Sequence, residues 1–367
     1  LAQQPSVPTW PVILRNPALT REEFLEALSD GFELGTPASK TVLLRRFEAA
    51  LIRCRERGIH VALIVDEAQT MSWDMLEETQ QYASGGWGPK EAFVEPHEGK
   101  LAASLTSTRN HFETPCGCYA QTKLARYLLR FTGEARYGDG LERVLYNTLL
   151  GAIDPTDDGN FFYYSDYQAR AVKTFYHSKW PCCSGTLIQG VADYPINVYF
   201  YNASGIYVNL YTPSEVRWTK RGAPVRLIQS TRYPADGAAE FRIQTARAEE
   251  FTVYLRILGW AMLSPKIRVN GTPRSANGRR RTFAAVRRKW RDGDTIELDL
   301  ALTVRGEAID DRNQNIVAAM KGPLMMVAVN PSAEPFPEIA LAGDLDGRFK
   351  PFYEVKGETY STYFRRA

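Results

Sequence analysis

Three stretches of the sequence predict a multidomain α+β protein. Residues 119–131 and 134–153 space their apolar side chains as amphipathic helices do. From about residue 197 the apolar period shortens to two, which marks strands with one buried face. Ahead of both, residues 9–77 have an α/β character of their own. The chain has 367 residues, 44% of them hydrophobic, enough to fill more than one core.

The N-terminal region reads as two helices followed by a strand. Thr20-Arg-Glu-Glu23 is a capping box, in which Thr20 and Glu23 each satisfy a backbone donor at the helix start. Residues 40–57 place Leu43, Leu44, Phe47, Leu51 and Ile52 on one helical face opposite a basic one. His60-Val-Ala-Leu-Ile-Val-Asp66-Glu67 then reads as a buried parallel strand ending in two carboxylates. This strand, with the Ala-Gln that follows it, resembles the Walker B region of AAA-type ATPases of the secretion and transposition class. The resemblance implies that Asp66 holds magnesium and that Glu67 polarises water. No G-x-x-x-x-G-K-[ST] occurs in the chain, so this ATPase-like fragment (residues 1–78) is expected to be dead as an ATPase.

The character changes near residues 77–80. Gln80-Gln-Tyr-Ala-Ser-Gly-Gly-Trp87-Gly-Pro opens a region with no nucleotide-binding features. Leu124, Tyr127, Leu128 and Phe131 stripe the first of its helices; Leu141, Val144, Leu145 and Leu149 stripe the second. Gly133 punctuates the turn between them. Phe161-Phe-Tyr-Tyr reads as an aromatic hairpin, and a short helix follows Cys183 toward Tyr194. Beyond it, alternating segments such as Ile206–Tyr211, Phe251–Ile257 and Thr295–Leu300 are separated by Gly, Pro and Asn turns. That spacing predicts an antiparallel β-sandwich over residues 197–367. Arg279, Arg280, Arg281, Arg287, Arg288, Lys289 and Arg291 interleave with Phe283 and Trp290, so this basic cluster reads as a solvated strand face.

Four of the five cysteines fall in two short segments, Glu113-Thr-Pro-Cys116-Gly-Cys118 and Trp180-Pro-Cys182-Cys183. Adjacent cysteines rarely form an ordinary disulfide with each other, because their Cβ vectors point apart. Thiolates and a carboxylate in two half-sites have the chemistry of a closed zinc site. The competing reading is that they are small buried apolar residues clustered by chance. Cysteine is usually kept for its reactivity, which favours the metal. Cys54 lies apart, in the second helix, and reads as core.

From Tyr82 to Ala367 the chain resembles glycoside hydrolase family 127, the β-L-arabinofuranosidase type with a zinc-bound cysteine. The resemblance rests on Ala83-Ser-Gly-Gly-Trp-Gly-Pro, Glu91-Ala-Phe, Phe112-Glu-Thr-Pro-Cys, Leu124–Asp139, Leu145-Tyr-Asn and Pro181-Cys-Cys, continuing to Val269-Asn-Gly, Trp290-Arg-Asp-Gly-Asp and Lys321-Gly-Pro-Leu. It implies an (α/α) barrel followed by β-sandwich modules. Family members carry about half of that barrel ahead of the Gly-Gly-Trp-Gly-Pro segment. Here the barrel is therefore expected to be partial over residues 79–196, its activity impaired, and the chain a chimera joined near residues 77–80. The resemblance makes Glu113, Cys116, Cys182 and Cys183 the zinc ligands, Cys182 the nucleophile and Glu91 the general acid/base. The family pattern most often has Glu-x-Cys, whereas Cys116 stands three residues after Glu113, so Cys118 is the alternative ligand. A retaining glycosidase needs its two groups about 5 Å apart, one to attack and one to protonate the leaving oxygen. His177 and Trp87 are candidates to hold a sugar, with a loop histidine and a barrel plug as their plain alternatives.

The implied partner is an arabinose-containing glycan or glycoconjugate. A net charge of +3, from 45 basic and 42 acidic residues, points to neither nucleic acid nor membrane. No apolar run is long enough to span a bilayer. Residues 1–20 lack the charged and apolar regions of an export signal, which tilts the compartment toward the cytoplasm. Two other functions compete: the remnant of an AAA-type regulator, and a non-catalytic carbohydrate-binding module.

Overall fold

Thr9–Leu14 (β1) and His60–Val65 (β2) pair in parallel, from Thr9 against His60 to Leu14 against Val65. The computed structural model describes residues 9–14, 21–36, 39–65, 77, 80–109, 111–154, 156, 161–176, 182–275, 278–341 and 345–367. Its contacts divide the chain into two units, Leu1–Leu76 and Glu77–Ala367. In the first unit, Arg21–Gly31 (α1) and Lys40–Glu56 (α2) connect the two strands. Ser39 caps α2, its side chain accepting from the Val42 amide at 3.3 Å. Val12, Phe32, Leu34, Leu43 and Ala50 form the core, with Phe32 edge-on to Phe47 at 4.9 Å. Leu44, Leu51 and Ile52 stand exposed, although the sequence reading grouped them with Leu43 and Phe47. Within this unit, α2 buries the narrower stripe Leu43, Ala50 and Cys54, and its apolar spacing is wider than the surface that covers it. Thr20, Asp66 and Glu67 lie outside the described residues, as does His177.

The second unit begins with a helical part: Lys100–Ser107 (α3), Pro115–Thr132 (α4), Ala135–Val144 (α5) and Cys182–Asp193 (α6). A wide π turn, Leu145–Leu149, prolongs α5. Phe161–Phe162 (β3) pairs antiparallel with Phe175–Tyr176 (β4) between α5 and α6. The stripe assigned to the core of α4 faces outward: Leu124 and Tyr127 are about half exposed and Phe131 is 84% exposed. The helix instead buries Cys118, Tyr119, Thr122, Ala125, Arg126 and Leu129. Arg126 is admitted to that face because Asp193 of α6 takes its guanidinium at 2.9 Å.

Two sheets form the sandwich. One has the order β13-β10-β6-β5, from Thr282–Trp290 (β13), Glu249–Ile257 (β10), Gly205–Val208 (β6) and Tyr199–Tyr201 (β5). The other runs β12-β11-β14-β9-β8-β7 between Ser214–Lys220 (β7) and Thr272–Arg274 (β12), with Lys266–Val269 (β11) and Thr295–Asp299 (β14) inside it. Its strands Ala223–Thr231 (β8) and Ala238–Thr245 (β9) alternate buried and exposed side chains as the sequence period requires. Phe251, Val253 and Leu255 of one sheet meet Leu227, Phe241 and Ile243 of the other in a common core. Pairing is antiparallel throughout, except that β10 and β6 run parallel. Asn270 and Gly271, both at positive φ (50° and 74°), make the tight turn from Lys266–Val269 (β11) to β12.

Val304–Ala308 (β15), Ile316–Lys321 (β16), Leu324–Val329 (β17) and Tyr363–Arg366 (β21) belong to a further sheet. Met320, Met325, Val327 and Tyr363 of this sheet share a core with Tyr82, Leu101, Phe112 and Val144. The helices are thus backed by the last sheet of the chain, and the sandwich proper ends near Asp299. Three cations of the basic cluster pair with carboxylates: Arg287 with Glu250 at 2.8 Å, Arg288 with Asp294 at 3.3 Å and Arg281 with Glu77 at 3.0 Å. No described helix is long and apolar enough to cross a membrane.

A candidate metal and active site at two helix starts

Thr114 caps α4 and Pro115 occupies its first turn, so Cys116 sits at the helix N-terminus. Cys182 and Cys183 open α6. Packing of α4 against α6 brings these two helix starts together. The Cys116 Sγ lies 3.1 Å from Cys183 Sγ and 3.5 Å from Cys182 Sγ. All three sulfurs fall within 4.8 Å of one another, and none of the five cysteines is in a disulfide. Thr186 Oγ1 stands 3.1 Å from Cys116 Sγ, and the Tyr163 hydroxyl 3.6 Å from Cys182 Sγ. Exposure is graded across the group: Cys183 is buried, Cys116 half-buried and Cys182 exposed.

The electrostatics suit a cation. Burial raises the thiol pKa of Cys183 and of Cys116, and neighbouring sulfurs oppose a second charge. Three thiolates this close need a positive ion among them, and soft sulfur donors in that number fit zinc. Cys118, two residues on, turns the other way into the helical core, where burial and the nearby Glu113 push its thiol up. The structure therefore puts Cys116, and not Cys118, beside the cysteine pair.

Glu113 precedes α4 and is also buried, yet its carboxylate stands outside the three-sulfur group. Its Oε1 accepts from Ser84 Oγ at 2.5 Å, from the Tyr167 hydroxyl and from Thr148 Oγ1 at 3.4 Å. Its Oε2 is buried without a hydrogen-bond partner. Burial, against those three hydroxyls, pushes its pKa up to about 7. A buried carboxylate oxygen without a partner can take a cation or a proton. Gly86 makes room for it, since a methyl there would stand 1.6 Å from Oε2.

Trp87 lies against the first turn of α4, its Nε1 donating to the Gly117 carbonyl at 3.3 Å. Phe93 stacks on one face of the ring at 4.4 Å. Phe93 thus covers one face of the ring, and the Gly117 carbonyl holds its Nε1 edge. Glu91 ends the short helix Pro89–Glu91, and the Lys90 amide ties that turn to the His111 carbonyl at 2.9 Å. The side chain of Glu91 lies outside the described part of the structure. Sequence reasoning missed the hydroxyls around Glu113, which come from three separate segments. It noted Tyr163 only as part of an aromatic hairpin.

Residues 63–195 match the beta-L-arabinofuranosidase GH127 catalytic domain, and residues 205–302 match the GH127 middle domain. Glu113, Cys116, Cys182 and Cys183 all lie within the first match. That match begins inside the stretch that resembles an ATPase, and nothing in the comparisons supports an ATPase there. No curated protein sequence matches the chain. Among solved structures, one described as a glycoside hydrolase is 20% identical with a TM-score of 0.65, covering 81% of this chain and 61% of its own. The GH127 beta-L-arabinofuranosidase of Geobacillus stearothermophilus T6 gives 20% and 0.65, covering 80% of this chain and 56% of its own. A GH127 beta-arabinofuranosidase gives 19% and 0.65, covering 93% and 59%. At these identities the likeness is one of fold, and the chain spans between 56% and 61% of the length of those structures. Through its catalytic and middle domains, the chain belongs to glycoside hydrolase family GH127.

Proposed function

We propose that the chain is a retaining glycosidase of the β-L-arabinofuranosidase type, with Cys182 as nucleophile in a zinc-holding thiol cluster. The observation that carries this reading is the convergence of three sulfurs at two helix starts, with Cys182 the most open of the three to solvent. Cys116, Cys182 and Cys183 would hold the metal, and Glu113 offers the fourth donor through its unpartnered Oε2. Bound zinc would keep these thiols deprotonated near neutral pH.

The remaining chemistry belongs to the side chains. Cys182 Sγ attacks the anomeric carbon of a β-L-arabinofuranoside as the bond to the leaving oxygen breaks. Glu91 gives that oxygen its proton, and then takes one from the water that displaces Sγ. Helix N-termini favour negative sulfur at both Cys116 and Cys182. The Tyr163 hydroxyl, 3.6 Å from Cys182 Sγ, orients the sulfur at the open edge of the cluster. His177 and Trp87 would contact the sugar, although Phe93 already covers one face of Trp87.

Hydrolysis of a 4-nitrophenyl β-L-arabinofuranoside by the zinc-loaded chain tests this, with the product anomer followed by NMR. The expected result is release of sugar first as the β anomer. Initial α anomer would rule out retention, and no release would rule out the activity.

A further inference from the structure

A groove of about 620 Å³ lies between the C-terminal half of α4 and the edge of the four-stranded sheet. Rings enter it from both sides: Tyr127 from the helix, and Tyr199, Phe200, Tyr201, Tyr207 and Phe283 from the strands. Tyr201 is 82% exposed, and Tyr127 leads along the helix to Phe131, whose ring lies nearly parallel to its own at 6.4 Å. The floor is made of packed rings, with Tyr207 stacked on Tyr254 at 4.1 Å and edge-on to Phe283 at 5.1 Å. Polar groups stand among the rings. Asn202 donates to the Tyr207 hydroxyl at 3.0 Å, while Arg126 and Arg130 line the helical side.

We infer that this groove is a second, non-catalytic glycan-binding site. Flat apolar faces interleaved with amide, hydroxyl and guanidinium groups suit sugar rings, which present C–H faces and hydroxyl edges together. A purely apolar occupant, such as a packed helix or an acyl chain, would cover the Arg130 guanidinium and the Tyr201 hydroxyl of this groove without pairing them, at a cost. The volume falls within the range of small-ligand sites, about 300–1,000 Å³. Arg130 stands fourteen residues beyond Cys116 on one helix, about 21 Å along its axis at ~1.5 Å per residue. The groove is thus separate from the thiol cluster, and the inference stands without the catalytic reading.

Affinity electrophoresis of the full chain through gels containing soluble arabinan tests the inference, beside Tyr127→Ala, Tyr201→Ala and Cys182→Ala. Both rings are exposed, so their removal should leave folding intact, which thermal melting checks. The parent and Cys182→Ala should be retarded alike, with each tyrosine variant weakened by about tenfold. Retardation that survives both tyrosine changes, or is lost in Cys182→Ala alone, would overturn the inference. So would an unretarded parent, or a self-associating parent that Tyr201→Ala converts to monomer without any binding of arabinan. Failure of hydrolysis with retardation intact would count against the proposed activity alone.

Discussion

On the proposed mechanism, Cys182→Ser is expected to lower turnover of an arabinofuranoside by a factor on the order of 10⁴ or more. Serine keeps the size of the side chain but loses its acidity, and a hydroxyl at this position remains protonated near neutral pH. Cys118→Ser provides the matched control, because that sulfur points into the helical core and away from the cluster. It should leave turnover within a few-fold of the parent once stability is accounted for. Steady-state rates of the two variants and the parent check this. Equal losses in both would show that the effect is structural, and a fully active Cys182→Ser would remove Cys182 from the chemistry.

Arg256→Ala is expected to destabilise the second unit by about 3–5 kcal/mol, the usual cost of breaking one side of a buried ion pair. Arg256 of β10 is wholly buried and pairs with Asp139 and, at 2.9 Å, with Glu142 of α5. Tyr233 and Trp260 add hydrogen bonds to Glu142 at 2.9 and 3.1 Å. The network fastens the helical part to the sandwich, and removing the Arg256 guanidinium leaves two buried carboxylates without it. Burial already pushes Asp139 up to about 7, against the Arg256 charge that lowers it. Without Arg256 its folded pKa rises further above the unfolded value. The stability tied to its protonated form is then present in acid and is lost as pH rises through that folded pKa. The deficit should therefore grow from pH 5 to pH 8. Urea unfolding at both pH values measures it; a loss below about 1 kcal/mol, or one that shrinks with pH, would contradict the network's role.

The sandwich was legible because a strand's period of two is read directly from neighbours in sequence, as in Phe241-Arg-Ile and Phe251–Ile257. The parallel pairing of β10 with β6 was not, since pairing direction depends on the path between strands. Nor did spacing reveal which face of α4 turns inward. Leu124, Tyr127 and Phe131 form a regular stripe, yet the contact with α6 buries Tyr119 and Arg126, both tied to Asp193. Amphipathicity names a face, but only the partner decides which face is covered. At the candidate site, residue type carried the signal for Cys116, Cys182 and Cys183, because few other roles gather cysteines in this way. Ser84, Thr148 and Tyr167 converge on Glu113 from segments that carry no such mark, and common hydroxyl residues announce nothing in sequence.

The claim that three thiols form a metal centre is tested most directly by zinc content of the purified chain. The parent and Cys118→Ser should each hold about one zinc per chain, and Cys116→Ser should lose it. Zinc absent from the parent, or retained by Cys116→Ser and lost from Cys118→Ser, would contradict the account.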